Sequence, residues 1–502
     1  MQSRWSDHDA RAYRERYAST GEDLALRVYT SRLIGQDPDL VMHGGGNTSV
    51  KTRRKNVLGE DVETICVKGS GWDLDSIEPP GLPAMQLEPL RALRRLEALS
   101  DEEMVNQQRT NLFDATSPNP SVETLLHAFL PHKFIDHTHA DAILALTNQP
   151  DGEQMIRAAL GDKVAIVPYV MPGFQLAKLA AEVFERDPEV EAMVLLKHGF
   201  FTFAEDARTS YERTVAYVDR AERFLAERTR GKRASAAAAP GDAELVAARA
   251  RAADIAPLLR GLLAAASGNA DSPWRRMILD YRVSPEILAL LAEPACGQLG
   301  SRGPLTPDHV IRTKAHALFL SDLALDDADK LRLQLDGEIR DYRQRYDGYF
   351  AAQVAAKGVQ RTKLDPDPRV LLIPGVGLFG AGKSRKDAAI AADLAEHTLR
   401  VKSLGEALGR YEPLPDHDLF DMEYWSLEQA KLGKEAEKPL ARQVALVTGA
   451  AGAIGVGVCL ELVRAGAHVV LTDVDAEGLE RARARVAQAG GGSSCTAVRM
   501  DV

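Results

Sequence analysis

Two polar stretches interrupt this chain and limit how it can fold. Thr229–Glu244 (TRGKRASAAAAPGDAE) is small, charged and without apolar periodicity. Lys431–Arg442 (KLGKEAEKPLAR) is similar and carries a proline just ahead of a strongly apolar run. A chain of 502 residues exceeds what one hydrophobic core accommodates. The two stretches therefore read as linkers, dividing the chain into residues 1–230, 242–432 and 442–502.

The composition excludes several classes of function. With 45% hydrophobic and 27% charged residues the sequence is that of a globular protein, and its formal charge of −10 argues against a nucleic-acid-coating surface. It has no run of about 18 apolar residues to span a membrane. The N-terminal Met1-Gln2-Ser3-Arg4-Trp5-Ser6-Asp7 lacks the apolar core of a signal peptide. Cys66, Cys296, Cys459 and Cys495 form no close pair, against both a disulfide framework and a cysteine-rich zinc module. The expectation is a reduced, cytoplasmic setting with neither nucleic acid nor membrane as partner.

Chemistry first becomes visible in "FIDHTHADAI", residues 134–143. Read as a strand, it places His137 and His139 on one face, since side chains at i and i+2 project together. Downstream, "MVLLKHGFFTF" reads as an apolar strand ending in Lys197-His198-Gly199, while upstream Glu123 falls in the first turn of a helix after prolines. Three imidazoles with an open fourth position are a typical donor set for catalytic zinc, and a nearby carboxylate suits a general base. A His-x-His pair alone is more often structural, so the case needs the glycine-rich loops as well. "HGGGNTSVK" (His43–Lys51) and "VKGSGWDL" (Val67–Leu74) offer backbone amides and polar side chains to an anion. Together these features describe a metal site beside a phosphate pocket.

On these residues the first 230 or so positions resemble the class II, zinc-dependent sugar-phosphate aldolases of the fuculose and rhamnulose phosphate type. The resemblance implies that His137, His139 and His198 bind Zn²⁺, with Glu123 as the catalytic carboxylate. It implies that Asn47, Ser70, Gly71 and Ser121 hold the phosphate of a small-molecule sugar phosphate. It also makes Tyr169, in "PYVMPG", a catalytic acid reaching across a subunit boundary, and so implies a homo-oligomer of four or more copies. Glu123 stands where the related 4-epimerases carry Asp, which favours an aldolase over an epimerase or dehydratase. The intact histidine and glutamate set disfavours a noncatalytic scaffold of the same fold.

The C-terminal segment reads as strand, glycine-rich turn, helix, strand, helix. Thr448-Gly449-Ala450-Ala451-Gly452-Ala453-Ile454-Gly455 lets a helix N-terminus approach a pyrophosphate, and Asp473 ends the second strand, where an acid would take ribose hydroxyls. The pattern resembles the short-chain dehydrogenases, with Ala453 replacing the middle glycine. That resemblance implies NAD contacts from Thr448, Gly449, Gly452, Ile454, Gly455, Asp473 and the adenine-side Asp501. The chain reaches Val502 before the family's Ser and Tyr-x-x-x-Lys, so an incomplete, truncated dehydrogenase domain is expected. Aldolase followed by dehydrogenase is similar to the bifunctional rhamnulose-phosphate aldolase/short-chain dehydrogenases, implying lactaldehyde as the shared product and substrate.

The middle segment carries "GLFGAGKS" (Gly377–Ser384), which fits a nucleotide-binding P-loop. A competing reading aligns "VLLIPGVGLFG" from Val370 with "VLLKHGFFTF" from Val194 as a degenerate repeat, Pro374 replacing His198. The repeat is preferred, because no acidic strand end for magnesium accompanies the motif. The expected fold class is thus α/β: a class II aldolase-like α/β/α domain, a degenerate aldolase-like middle domain, and a partial Rossmann βαβαβ unit.

Overall fold

The computed structural model describes residues 1–231, 240–268, 270, 272–432, 437–490 and 494–502. The inner parts of both linker stretches, 232–239 and 433–436, lie outside the described residues. The chain divides into two compact units, the first made of Met1–Arg233, Gly303–Ile311 and Arg400–Leu432.

The first unit is built on a seven-stranded sheet of β1 (Asn47–Lys55), β2 (Asp61–Val67), β3 (Ala84–Gln86), β4 (Phe134–Thr138), β5 (Val164–Val167), β6 (Ala192–Leu195) and β7 (Gly199–Ala204). Their order is β3-β2-β1-β4-β7-β6-β5, antiparallel except for β5 with β6. β7 (GFFTFA) is buried along its whole length, as expected of an inner strand covered on both faces. On one face the helices Thr124–Phe129 and Phe174–Arg186 pack together over a core that includes Ile65, Met85, Leu126, Phe184, Phe201 and Phe203. The helices Glu22–Gly35 and Ala207–Arg228 pack on each other and on β1, β4 and β7. Cross-strand register sets Asn47 opposite His137 and His137 opposite Phe201, which brings the first glycine loop to the histidine strand.

Alternation along β4 sends His137 to one side and Asp136 to the other. There Asp136 meets the guanidinium of Arg27, both side chains being fully buried. Arg27 also donates to the Ser49 and Ile135 carbonyls at 3.3 Å, and Ser210 donates to the second Asp136 oxygen.

Two expectations about the histidines need correction. β4 ends at Thr138, so His139 lies one residue past the strand, its N–H bonded to the Leu40 carbonyl at 3.0 Å. The apolar run around His198 is two strands: β6 stops at Leu195, and His198 sits in the hairpin turn ahead of β7. The turn needs a positive φ at Lys197, which the sequence pattern does not announce.

In the second unit a short ribbon pairs β8 (Ala265–Ala266) with β9 (Trp274–Arg275). A four-stranded sheet follows the order β10-β13-β12-β11, from β10 (Ile278–Arg282), β11 (Leu318–Phe319), β12 (Val370–Ile373) and β13 (Gly377–Gly382). The P-loop-like glycines are β13 itself, laddered to β10 on one side and β12 on the other. Backbone N–H groups committed to a sheet cannot cradle a phosphate. The hairpin β12–β13 and the helix Arg385–Leu408 repeat the arrangement of β6, β7 and the helix Ala207–Arg228. Ile373 pairs with Gly377 as Leu195 pairs with Gly199, and Val376 N donates to Ile373 O as His198 N does to Leu195 O, both at 3.1 Å. Val376, rather than Pro374, therefore takes the place of His198.

The last sheet is parallel, β14 (Val444–Thr448), β15 (His468–Asp473) and β16 (Cys495–Arg499), in that order. The helices Ala453–Arg464 and Ala476–Gly490 cover the face that carries Val469, Leu471 and Cys495. Leu446 and Val498 remain exposed. No helix among the described residues is long and apolar enough to cross a membrane.

Candidate active site

The hairpin turn, the end of β4 and the start of one helix converge on a single spot. Ligand nitrogens of His137, His139 and His198 lie within 4.8 Å of one another, and all three side chains are buried. The Nε2 atoms of His137 and His139 are 3.1 Å apart. Tetrahedral zinc with Zn–N of about 2.0–2.1 Å separates its nitrogens by roughly 3.3 Å, so this spacing suits a cation. His137 Nδ1 donates to the Phe200 carbonyl at 3.2 Å, which leaves the Nε2 lone pair facing the cluster. Burial pushes His137 down to about 4 and His139 to about 3, keeping both imidazoles neutral, as ligands must be. Gly199 permits the crowding: a Cβ there would come within 2.6 Å of His137 Cε1 and 2.7 Å of Thr138 O.

Glu123 caps the helix Thr124–Phe129 and turns its carboxylate into the cluster. Its two oxygens stand 3.4 Å from His137 Nε2 and 3.4 Å from His198 Nε2, and Oε1 is buried with no hydrogen bond. Such an orphaned oxygen beside three converging nitrogens fits a bound cation or a transferable proton. Burial raises the Glu123 carboxyl, but interaction with His137 and His198 and the Asn47 hydrogen bond outweigh it and hold it down to about 2. Asn47 Nδ2 donates to Glu123 Oε2 at 2.6 Å and to Ser121 Oγ at 3.2 Å. The Asn47 oxygen faces His127 Nε2, whose ring meets Ser49 Oγ on the other side at 2.8 Å. His127, passed over in the sequence, thus orients the amide that orients Glu123.

A cleft opens over this floor. Asn47, Ser70, Gly71, Ser121, Glu123, His139 and His198 line it, so every candidate phosphate residue shares the space with two of the three histidines, His137 not being among the lining residues. Tyr169 does not line it; its hydroxyl is buried without a hydrogen bond, and burial together with Asp418 and Asp421 raises its pKa well above the phenolic range.

At the C-terminal sheet Gly449 has φ +63°, and Gly452 caps the helix Ala453–Arg464 without a side-chain bond, leaving its first N–H groups open. A Cβ on Gly455 would sit 2.2 Å from Gly449 O, so only glycine lets the helix start this close to the turn. Asp473 accepts from Ala451 N and Asp475 N at 3.0 Å each, which holds its carboxyl below its usual range at the strand end. Thr448 ends β14, and Ile454 and Asp501 are exposed. The loop, helix start and acid are brought together as a dinucleotide would require.

Comparison with known proteins gives three adjoining matches. "Class II Aldolase and Adducin N-terminal domain" matches residues 26–225, "Aldolase class II, second domain" matches 250–432, and "short chain dehydrogenase" matches 443–502. An uncharacterized oxidoreductase of Bacillus subtilis (strain 168), YuxG, is 33% identical over 97% of this chain and 70% of its own length. The chain belongs to the family that joins class II aldolase domains to a short-chain dehydrogenase domain. Among solved structures, the N-terminal class II aldolase domain of a conserved protein from Thermoplasma acidophilum is 39% identical, covering 45% of this chain and 99% of that one, with a TM-score of 0.40. An L-fuculose 1-phosphate aldolase is 20% identical, covering 45% and 92%, with a TM-score of 0.30.

In this aldolase–dehydrogenase chain the second aldolase domain supplies pocket residues that the sequence reading missed. Pro307, Asp308, Met422, Glu428 and Lys431 all line the cleft. Asp308 Oδ1 lies 3.5 Å from His139 Nδ1, and the Thr306 hydroxyl stands 2.9 Å from both Asp308 Oδ1 and the His198 carbonyl. Burial opposes ionisation of Asp308, but His139 and His309 overcome it and hold the carboxyl far below its usual range. His139, Asp308 and His309 form a further trio with ligand atoms within 4.8 Å. Lys431, read from sequence as the first residue of a linker, instead pairs with Glu428 at 2.5 Å. Lys68 Nζ ties the two glycine loops together, donating to the Gly44 and Trp72 carbonyls at 2.7 Å. Nothing local marks these residues for a cleft: Thr306-Pro307 is an ordinary helix start, and Lys431 stands among other charged residues.

Proposed function

We propose that the aldolase part cleaves a ketose 1-phosphate, rhamnulose 1-phosphate foremost, to dihydroxyacetone phosphate and lactaldehyde, and that residues 443–502 form the NAD-binding portion of a dehydrogenase domain for the aldehyde, without the family's Ser and Tyr-x-x-x-Lys. The observation that carries the first half is the convergence of three buried imidazoles and the Glu123 carboxylate on a cleft lined by Asn47, Ser70, Gly71 and Ser121. His137, His139 and His198 would hold a divalent cation, with zinc the best match to three neutral imidazoles. When bound, that cation supplies a Lewis acid for the charge that develops when a carbon–carbon bond beside a ketone breaks.

The chain's own groups do the rest. Asn47, Ser70, Gly71 and Ser121 anchor the phosphate and fix the reacting carbons relative to Glu123. Glu123 moves the proton on the carbon that becomes the hydroxymethyl end of dihydroxyacetone phosphate, returning it in cleavage and removing it in condensation. His127, through Asn47, keeps that carboxylate aimed. Gly449, Gly452 and Gly455 would admit the pyrophosphate of NAD, and Asp473 its ribose hydroxyls, disfavouring a 2′-phosphate.

The test is release of dihydroxyacetone phosphate from rhamnulose and fuculose 1-phosphates. Chelation is expected to lower the rate at least about a hundredfold and added zinc to restore it. A metal-loaded protein that cleaves neither ketose would overturn the reading.

Lys68 gives the phosphate end its own signature. It is buried, and burial pushes its ammonium down to about 7. At pH 8 the free site thus carries mostly neutral amine, whereas a bound phosphate dianion favours the ammonium. Binding should therefore take up roughly half to one proton, and affinity should fall as pH rises from 7 to 9. Calorimetry of glycerol 3-phosphate in two buffers of different ionisation enthalpy measures the uptake, and Lys68→Met should abolish it.

A further inference from the structure

The cleft contains a charged group for which neither the histidine cluster nor the phosphate residues give a use. Glu428 is 1% exposed, and one of its oxygens is held by Lys431 at 2.5 Å. The other, Oε2, is buried with no hydrogen bond, although the residue lines the cleft. A carboxylate oxygen has room for two donors, and leaving one buried and unpaired is unfavourable. This oxygen has no donor among the side chains and backbone of the wall.

We infer that Glu428, fixed by Lys431 and joined by Asp308, is the subsite for the hydroxyl-bearing half of the substrate and selects among ketose phosphates. The inference rests on the aldolase reading above and adds a specificity wall to it. Two carboxylates facing one cleft repel a phosphate, so they sort with the opposite end of the molecule. A neutral O–H is the donor that suits them, because it satisfies an ionised acceptor without bringing a charge of its own. Lys431 holds one oxygen in place, so little ordering of the carboxylate remains when the sugar arrives. The wall comes from the second aldolase domain.

The experiment compares two ligands that cannot be cleaved, titrated calorimetrically into the full chain. One is a hexitol 1-phosphate, the reduced form of the ketose, with its hydroxyl tail; the other is glycerol 3-phosphate, with the phosphate end alone. The wild-type chain should prefer the hexitol phosphate by about tenfold or more, the scale of a hydrogen bond to a charged group. Glu428→Gln should cut that preference to about twofold and leave glycerol 3-phosphate binding unchanged. The double variant Glu428→Leu with Lys431→Met removes the pair together, leaving Asp308 with His139 and His309 beside it, and should show the same loss. A preference that survives both variants overturns the inference and leaves the aldolase reading standing. Equal weakening of both ligands assigns the pair to the phosphate, which also overturns it. Failure of the wild-type chain to bind either ligand would remove the phosphate pocket itself, and the inference with it.

Discussion

Glu123→Gln should slow ketose-phosphate cleavage by about a hundred- to ten-thousand-fold while the metal content stays near that of the wild type. Glutamine fills the same volume and can still meet Asn47, so the floor of the cleft keeps its shape. What it cannot do is carry the proton. His137→Ala should instead lose both the metal and the activity, because the Nε2 that faces His139 at 3.1 Å is gone. Elemental analysis beside steady-state kinetics separates the two failures. Normal turnover in Glu123→Gln would sink the role given to this carboxylate.

Asp136→Ala should cost about 3–5 kcal/mol of stability, since it strands the buried Arg27 guanidinium without a counter-charge. The residue lies beside His137 in sequence but on the other face of β4, so the loss is one of folding before it is one of chemistry. Replacing the pair together, Arg27→Met with Asp136→Leu, should recover most of it, because no lone buried ion remains. Urea unfolding of the three proteins, followed by tryptophan fluorescence, measures the difference. A cost below about 1 kcal/mol for Asp136→Ala would mean that water reaches this pair.

The sequence carried the floor of the candidate site better than its walls. Two histidines at a spacing of two, a third before a glycine and an acid at a helix start are local patterns, and the structure brings those four side chains together. The dinucleotide loop is legible for the same reason, its glycines and its acid lying within one βαβ unit. Asp308, Glu428 and Lys431 reach the cleft from more than a hundred residues away, with no local pattern to mark them. The glycines of 377–382 are the opposite case: their composition also admits a phosphate loop, and only the repeat pattern pointed to the strand that is laddered on both sides. His198 could be chosen as a residue but not placed, since the positive φ at Lys197 belongs to a turn that β-strand propensity does not foresee.

The cleft draws on three separate parts of the chain, and translation delivers them in order. The histidines and Glu123 are made by residue 198, whereas Lys431 follows roughly 230 residues later. At ~5–20 residues per second that interval is roughly 10–50 s. For that time the nascent chain has its imidazoles but not the wall that later covers them. This side of the cleft is therefore the last part of it to be completed.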